Sequence, residues 1–213
     1  MKWLIAAIIL LSLCVLYLLI NYYIMRNVAM PQYSVLSKDR NIEIREYPAI
    51  ITAQVEVSAS RYDAAKEGFR QLADFIFGNN VTSENNNAKL AMTAPVLQAP
   101  NEKIAMTAPV IQSNKDHGAW IIKFIMPEKY SLSTLPKPNN PNITIKNEPA
   151  RKVIAIRFSG SSTDVNLSRH LAELEKYIAD HKIQVNSSYE YAFYNPPWTL
   201  PFMRRNEILI AIQ

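Results

Sequence analysis

The chain opens with an unbroken apolar run, and alternating apolar and polar residues follow. Residues 3–20 contain no charged side chain. About 20 apolar residues let a helix cross a hydrocarbon core of about 30 Å. Trp3 lies at one end of the run and Tyr22 and Tyr23 lie at the other, where interfacial aromatic residues are enriched. The pattern predicts a single transmembrane anchor over residues 1–26.

A cleaved signal peptide is the competing interpretation of this segment. It needs small residues at its cleavage site, and residues 21–23 supply none, which favours an uncleaved anchor. Arg26, Lys38 and Arg40 follow the span and only Lys2 precedes it, which by the positive-inside rule would place the later residues in the cytoplasm. A very short tail before a large folded domain is nevertheless typical of an anchor that exports the domain. We therefore expect a single-pass membrane protein with an exported domain.

The rest of the chain alternates between two periodicities. A period of two predicts strands over residues 32–37, 41–47, 50–57, 120–126, 143–145, 151–158, 189–194 and 207–212. Apolar residues at steps of three and four predict helices over residues 61–77 and 164–181. Ser60 is the predicted N-cap of the first helix. Its predicted inner stripe is Tyr62, Ala65, Phe69, Leu72 and Ile76, and that of the second helix is Leu167, Leu171, Leu174 and Ile178.

A near-duplicate segment lies between the first helix and the fourth strand of this series. KLAMTAPVLQ (residues 89–98) and KIAMTAPVIQ (residues 103–112) share eight of ten positions, and four residues separate them. Both copies are apolar enough for strands, and the linker resembles a turn. The local prediction is a hairpin of two similar strands.

The order of elements is the same in both halves of the domain. Each half contains strand, strand, helix, strand, strand, and the first half has one extra strand at its start. Two helices on a mainly antiparallel sheet define the α+β class. The sequence therefore predicts two pseudo-repeated halves that follow one N-terminal transmembrane helix.

Charge and chemistry exclude several classes of function. The chain has a net charge of +5, and Lys2 and Arg26 contribute two of these charges, which leaves +3 for the rest. No basic run is interleaved with aromatic residues, so we predict no nucleic-acid partner. The only cysteine, Cys14, lies in the apolar run, and the three histidines are far apart in sequence. We predict no metal site, no catalytic residue and no enzymatic activity.

Several motifs, in the same order, resemble the SOUL haem-binding protein family. They are GNN (78–80), KIAMTAPV (103–110), FIMPEKY (124–130) and YNPPWTLPFMRRNEI (194–208). The resemblance covers residues 31–213 and implies one SOUL-type domain. It implies a distorted antiparallel β-barrel, or a saddle-shaped sheet, with two helices outside. It also implies non-covalent haem binding, and a similar arrangement occurs in gyrase-inhibitor-like small-molecule binders.

The residues that the family uses are only partly present. Some members are thought to ligate haem iron through a histidine at a position that is Glu46 here, so the axial ligand is unknown. Other members hold the haem propionates with basic residues beside the first helix. Lys66 matches one such position, whereas Asp74 and the Thr199 region replace two others. Arg70 lies one turn after Lys66 on the same helix face and would compensate.

Our predicted site is an apolar groove between the first helix and the proline-rich loop near Trp198. Its predicted cofactor-binding residues are Lys66, Phe69, Arg70, Leu72, Trp198, Leu200 and Met203. The predicted function is haem or tetrapyrrole buffering or delivery at a membrane. One alternative is a gyrase-inhibitor-like binder of small molecules or lipids without haem. The other is a membrane-held protein-interaction module with an unknown partner.

Overall fold

The structure, a computed structural model, describes residues 2–26, 28–100 and 118–213. Its helices are α1 (Lys2–Arg26), α2 (Arg61–Ile76) and α3 (Asp164–Asp180). Its strands are β1 (Ser34–Asp39), β2 (Ile42–Tyr47), β3 (Ile50–Ser58), β4 (Asn80–Val81), β5 (Val96–Pro100), β6 (Ala119–Ile125), β7 (Lys137–Pro138), β8 (Thr144–Glu148), β9 (Arg151–Phe158), β10 (Val185–Phe193) and β11 (Asn206–Ile212). A 3₁₀ turn at Pro201–Met203 precedes β11.

The elements predicted from periodicity are confirmed to within a few residues, except in the near-duplicate segment. In its first copy only Val96 and the residues after it form a strand, β5. The two edges of β5 are taken by β6 and β10. The second copy lies outside the described residues.

Nine strands form one antiparallel sheet in the order β1-β2-β9-β11-β10-β5-β6-β3-β8. The predicted barrel is wrong, because β1 and β8 are opposite edges of this sheet and do not pair with each other within the described residues. The sequence SVLSKD of β1 is exposed along its whole length, as befits a polar edge strand. The α+β class is confirmed as one large open antiparallel sheet with three helices.

The predicted pseudo-repeat is present, and the two halves exchange strands. The first half contains β2, β3, α2, β5 and β6, and the second contains β8, β9, α3, β10 and β11. Within each half the first two strands do not pair with each other: β2 pairs with β9, and β8 pairs with β3. The order of these eight strands is therefore pseudo-symmetric about the centre of the sheet: each strand of one half occupies the position, counted from one edge, that its counterpart in the other half occupies counted from the opposite edge. Strands β5 and β10 meet at the centre.

Helices α2 and α3 pack on the same face of the sheet. A row of register-paired residues crosses the sheet from Phe124 through Val96, Phe193 and Asn206 to Phe158. Phe124 belongs to the core under α2, and Phe158 belongs to the core under α3. Directly paired residues share a face of a sheet. The helices therefore share one side, the helix face, and the opposite side is called the open face below.

Helix α2 begins as predicted, but its buried stripe differs from the prediction. The side chain of Ser60 accepts a hydrogen bond from the backbone N–H of Asp63 at 3.2 Å. The buried residues are Ala64, Gly68, Leu72, Phe75 and Ile76, whereas Tyr62 and Phe69 are exposed. Gly68 explains the shift, because a Cβ there would lie 2.3 Å from a side-chain carbon of Ile122. The helix thus approaches β6 closely along the line of Gly68.

The segment between α1 and β1 crosses the open face. This strap, residues 28–33, packs Val28, Met30 and Tyr33 against the apolar side chains of that face. The backbone N–H of Ala94 donates to the carbonyl of Ala29 at 3.0 Å. The strap therefore belongs to the domain, although residues 28–30 lie outside its predicted bounds.

Candidate functional site

We call the surface of the helix face between α2 and α3 the interhelix groove. Helix α2 packs on β3 and β6, and α3 packs on β9, so the central strands β5 and β10 lie between them. The helix-face side chains of these strands include Val96 and Phe193, which are directly paired and half-buried. These two residues form the floor of the interhelix groove.

Two structural features bound this groove. At one end Arg61, the first residue of α2, binds the Asp164 carboxylate at 2.5 Å, so the two helices begin side by side. Gln98 lies beneath that contact and donates to the carbonyl of Arg61 at 2.8 Å. Val96 lies two residues before Gln98 on β5 and pairs with Phe193 of β10. The loop of residues 194–205 begins directly after Phe193. The groove therefore runs from the helix N-termini toward the proline-rich loop.

Phe69 and Lys66 occupy the flank of α2 above this floor. The ring of Phe69 contacts that of Phe124 at a centroid distance of 5.3 Å, and Phe124 pairs with Val96. Phe69 is 41% exposed although its ring also contacts the core. Lys66 is exposed one turn earlier. Phe69 thus lies beside the apolar floor, and an exposed cation lies one turn before it on α2.

Arg70 is exposed, but it is already paired. Its guanidinium donates to both oxygens of Glu67, at 3.0 and 2.6 Å. These hydrogen bonds are the main reason why the pKa of Glu67 is lowered and that of Arg70 is raised. A ligand carboxylate would compete with Glu67 for Arg70.

Leu72 is a correction to the predicted site. Its side chain is fully buried in the core between α2 and the sheet. It lies on the Gly68 side of the helix, which faces β6, so it supports the helix and cannot contact a ligand in an open groove.

The proline-rich loop is an ordered, apolar surface. Arg204 donates to the carbonyls of Thr199 and Pro197 at 2.7 and 2.5 Å, and Pro201 accepts a hydrogen bond from the backbone N–H of Gly160. The large apolar side chains that this loop exposes are Trp198, Leu200, Phe202 and Met203. Its described contacts reach the turn before α3, and none of them joins it directly to α2. The predicted juxtaposition of loop and helix therefore rests on the shared strand register alone.

The position at which some family members are thought to ligate iron lies far from this groove. Glu46 lies on β2, which is four places from β5 in the sheet order. Both ring nitrogens of His170 are occupied, by Glu173 at 3.1 Å and by Arg169 at 3.1 Å. No group of three metal-ligating side chains occurs within the described ranges.

The open face carries a buried ionic cluster beneath the strap. Arg45 binds both oxygens of Glu207, at 2.7 and 3.0 Å, and Arg205 binds the same carboxylate at 2.8 Å. Burial alone would raise the pKa of Glu207, but the hydrogen bonds and charges of Arg45 and Arg205 outweigh it and lower that pKa. Burial raises the pKa of the Tyr194 hydroxyl, which donates to Glu207 at 2.7 Å. We call Arg45, Arg205 and Glu207 the strap cluster.

A second ionic cluster on the open face lines a cavity of about 320 Å³. Lys123 binds Glu190 at 2.7 Å and Glu148 at 3.3 Å. Arg151 binds the second oxygen of Glu190. Burial alone would raise the pKa of Glu190, but the charges of Arg151 and Lys123 and their hydrogen bonds together lower it. We call these four residues the cavity cluster; none of the predicted site residues lines this cavity.

Sequence reasoning missed both the groove floor and the open face. The alternation in YAFY (191–194) indicates that Tyr191 and Phe193 share a face, and this signal could have identified Phe193. The pairing of Val96 with Phe193 depends on strands almost a hundred residues apart, which no local pattern contains.

The sequence matches the family model described as "SOUL heme-binding protein" over residues 28–102 and 98–211. These segments include nearly all of the chain beyond α1. The chain belongs to the SOUL heme-binding protein family. Membership suggests binding of haem or a related tetrapyrrole. No curated protein matches the chain.

Several solved structures share the fold at low sequence identity. The EcmrR C-terminal domain is 12% identical with a TM-score of 0.59, over 85% of this chain and 98% of that chain. An uncharacterized conserved protein from Listeria innocua is 10% identical with a TM-score of 0.57, over 83% and 94%. A hydrolase encoded by lin2189 from the same organism is 10% identical with a TM-score of 0.55, over 84% and 94%. Similarity at this level establishes the fold and leaves function open.

Proposed function

We propose that this protein binds haem or a related tetrapyrrole non-covalently in the interhelix groove. The observation that carries the proposal is the half-buried Val96–Phe193 floor beside exposed Phe69, in a chain of the SOUL family. A planar macrocycle needs a flat apolar surface and cations for its propionates. The groove offers the apolar surface, and Lys66 offers a cation for a propionate.

Each predicted residue except Leu72 keeps a role in this proposal. Phe69 contacts the macrocycle from α2, and Lys66 neutralises one propionate. Arg70 turns from Glu67 toward the second propionate. Trp198, Leu200 and Met203 form the wall that the proline-rich loop adds at the far end. The protein buffers or delivers haem and performs no chemistry on it.

We also propose that α1 holds the groove close to a membrane. Its apolar run spans Lys2–Ile20 with a mean hydropathy of 2.9. In the sequence, one residue, Asn27, separates α1 from the strap. The hydroxyl of Tyr17 donates to the carbonyl of Trp198 at 3.0 Å, which places the apolar loop beside the anchor. A tetrapyrrole that partitions into lipid would then enter the groove directly from the bilayer surface.

Anchoring has a direct test of its own. An uncleaved anchor keeps the chain in membranes after alkaline carbonate extraction, and its N-terminal sequence begins at the start of α1. Release of a chain that begins after residue 21 would identify a signal peptide instead. Protease protection of the domain in sealed cells or vesicles distinguishes export from a cytoplasmic location.

A binder of small molecules without haem is the second candidate. Glu46 in place of the family histidine and Asp74 in place of a basic residue favour it, since neither side chain suits iron or a propionate. A protein-interaction module is the third candidate, with the exposed Trp198 and Phe202 as its contact surface.

A hemin titration of the full chain in phosphatidylcholine nanodiscs tests the proposal against empty nanodiscs. We expect saturable one-to-one binding with a shifted Soret band. The double variant Lys66→Ala/Phe69→Ala should weaken it at least tenfold, while Lys176→Ala on α3 should leave it unchanged. Hemin binding that does not exceed the empty-nanodisc signal would contradict the haem proposal and favour a small-molecule binder without haem.

A further inference from the structure

We propose that the cavity on the open face is a second ligand site, which takes a small carboxylic acid with an apolar body and binds its carboxylate through Arg151. The site is independent of the haem groove because it lies on the opposite face of the sheet. Its apolar lining comes from Ala99, Ile121, Val153, Leu209 and Ala211.

The charge of the ligand follows from which groups in the cavity already have partners. Each oxygen of Glu190 already receives a cation, from Lys123 and from Arg151. A cationic ligand would have to displace one of these side chains. The charged groups of the cavity therefore offer a new ligand a hydrogen-bond donor rather than an acceptor; Ser188 and Tyr189 also line the cavity.

Arg151 is the donor that remains available. Within the described parts of the chain it donates to Glu190 through one terminal nitrogen, whereas a guanidinium has five N–H groups. Its side chain is 26% exposed, against 11% for Lys123 and 10% for Glu190. Arginine forms paired hydrogen bonds to carboxylates, so a ligand carboxylate fits the unused edge.

The strap cluster shows how one arginine on this face serves two carboxylates. Arg45 binds Glu207 through its two terminal nitrogens and Glu43 through Nε at 2.8 Å. Glu43 and Glu207 both remain ionised, because burial would raise their pKa values but the arginine and lysine contacts outweigh it. By analogy, Arg151 in the cavity cluster would bind Glu190 as Arg45 binds Glu207, and it would bind the ligand carboxylate as Arg45 binds Glu43.

The strap also shows how an occupant sits on the open face. Tyr33 places its ring over Arg45 at 4.5 Å and its hydroxyl accepts from Arg205 at 3.3 Å. Met30 packs its apolar body against the same face. Pro31 of the strap lines a small neighbouring pocket with Arg151 and Leu209, whereas no strap residue lines the larger cavity. A ligand with an apolar body and a polar acceptor would reproduce the contacts of the strap there.

Three naphthalene probes of matched size test this proposal. They are 2-naphthoate, 2-naphthylmethanol and 2-naphthylmethylammonium, titrated calorimetrically into the full chain in phosphatidylcholine nanodiscs with empty nanodiscs subtracted. We expect 2-naphthoate to bind saturably, and at least tenfold more tightly than the alcohol or the amine. Equal binding of the three probes, tighter binding of the amine, or no saturable binding of 2-naphthoate would overturn the proposal.

Variants locate the site and separate it from the haem groove. Arg151→Gln should weaken 2-naphthoate binding at least tenfold, and Ala99→Leu should do the same by filling the cavity without removing a charge. Arg157→Gln, which removes an exposed arginine from the same strand, should have no effect. Hemin affinity should stay unchanged in all three variants, so failure of this site and failure of the haem proposal are distinguishable. Naphthoate binding that survives both Arg151→Gln and Ala99→Leu would overturn the assignment.

Discussion

Lys123 and Glu207 occupy equivalent positions in the two halves of the fold, with opposite charges. Lys123 pairs with Leu97 on β5, and Glu207 pairs with Ala192 on β10. Leu97 and Ala192 pair with each other at the centre of the sheet. The four residues therefore form one row across the open face, with a cation and a carboxylate at its ends.

Each of these residues binds a side chain on an outer strand that comes from the other half. Lys123 binds Glu148 of β8, and Glu207 binds Arg45 of β2. The two ion pairs have reversed polarity, and their surroundings have diverged. Tyr33 of the strap lies against Arg45 and Arg205 at one end, and Lys123 of the other pair lines the cavity. The two ends of the open face therefore differ: the strap packs on one, and the larger cavity lies at the other.

Loss of Arg45 should destabilise the domain. Its guanidinium and the Glu207 carboxylate are almost fully buried, and removing one partner of a buried pair costs about 3 kcal/mol or more. We expect Arg45→Met to lower the free energy of unfolding by about 3 kcal/mol in guanidinium titrations followed by tryptophan fluorescence. Lys176→Met, which breaks an exposed pair with Asp180, should cost less than about 1 kcal/mol. Equal losses in the two variants would contradict a stabilising role for the strap cluster.

Glu190 should make stability dependent on pH. Its pKa lies below the ordinary value of 4.5 despite burial, because Arg151 and Lys123 favour the ionised form. A carboxyl with a lowered folded pKa contributes stability above its unfolded pKa, and the contribution is lost as pH falls through the folded value. The difference in unfolding free energy between the wild type and Glu190→Gln should therefore be largest above about pH 5 and shrink below about pH 4. Urea titrations across this range measure it, and a difference that grows in acid would contradict the assignment.

Glu67 should oppose haem binding. It holds Arg70 in two hydrogen bonds and so competes with a propionate for that guanidinium. Glu67→Gln should tighten hemin binding severalfold, because it frees Arg70 for a propionate. The change should vanish when Arg70→Ala is added. Unchanged or weaker hemin binding by Glu67→Gln alone would remove Arg70 from the site.

Gly68 should not tolerate a larger side chain. A Cβ there would lie 2.3 Å from Cγ1 and 2.7 Å from Cβ of Ile122, and overpacking costs about 1–3 kcal/mol. Alanine gains about 1 kcal/mol of helix preference over glycine, so we expect Gly68→Ala to lose up to about 2 kcal/mol overall. Gly118→Ala, with no neighbouring atom within 4 Å, is the control and should change stability by less than about 0.5 kcal/mol. A stabilised Gly68→Ala would contradict the close approach of α2 to β6.

The order of elements was predictable, whereas their pairing was not. Periodicity identifies α2, α3 and most strands, because each pattern is local. The exchange of β2 and β8 between the halves places Arg45 next to Glu207, and those residues are 162 positions apart. No local pattern carries that information, so both ionic clusters were missed. Of the two sheet forms that the family resemblance implied, the barrel was wrong, because β1 and β8 are opposite edges of the sheet.

The candidate site was predictable to the same limited extent. Lys66 was predicted through the family resemblance and Phe69 through helical periodicity, and both side chains are exposed on α2. Leu72 was included because helical periodicity cannot distinguish a buried flank from a ligand-contacting one. The buried face of α2 is centred on Gly68 rather than on Phe69, because Ile122 of β6 packs closely against Gly68.

Methyl NMR spectra of the full chain in nanodiscs, with hemin or with diamagnetic gallium protoporphyrin, test the central claim most directly. The iron of bound hemin broadens nearby methyl signals, and gallium protoporphyrin is the control for binding without a paramagnetic centre. We predict that hemin broadens the methyl signals of Val96 on the groove floor far more than those of Val153 and Leu209 in the open-face cavity. Selective broadening of Val153 and Leu209 would place the tetrapyrrole on the open face and contradict the proposed groove. Equal spectra with and without hemin would contradict tetrapyrrole binding altogether.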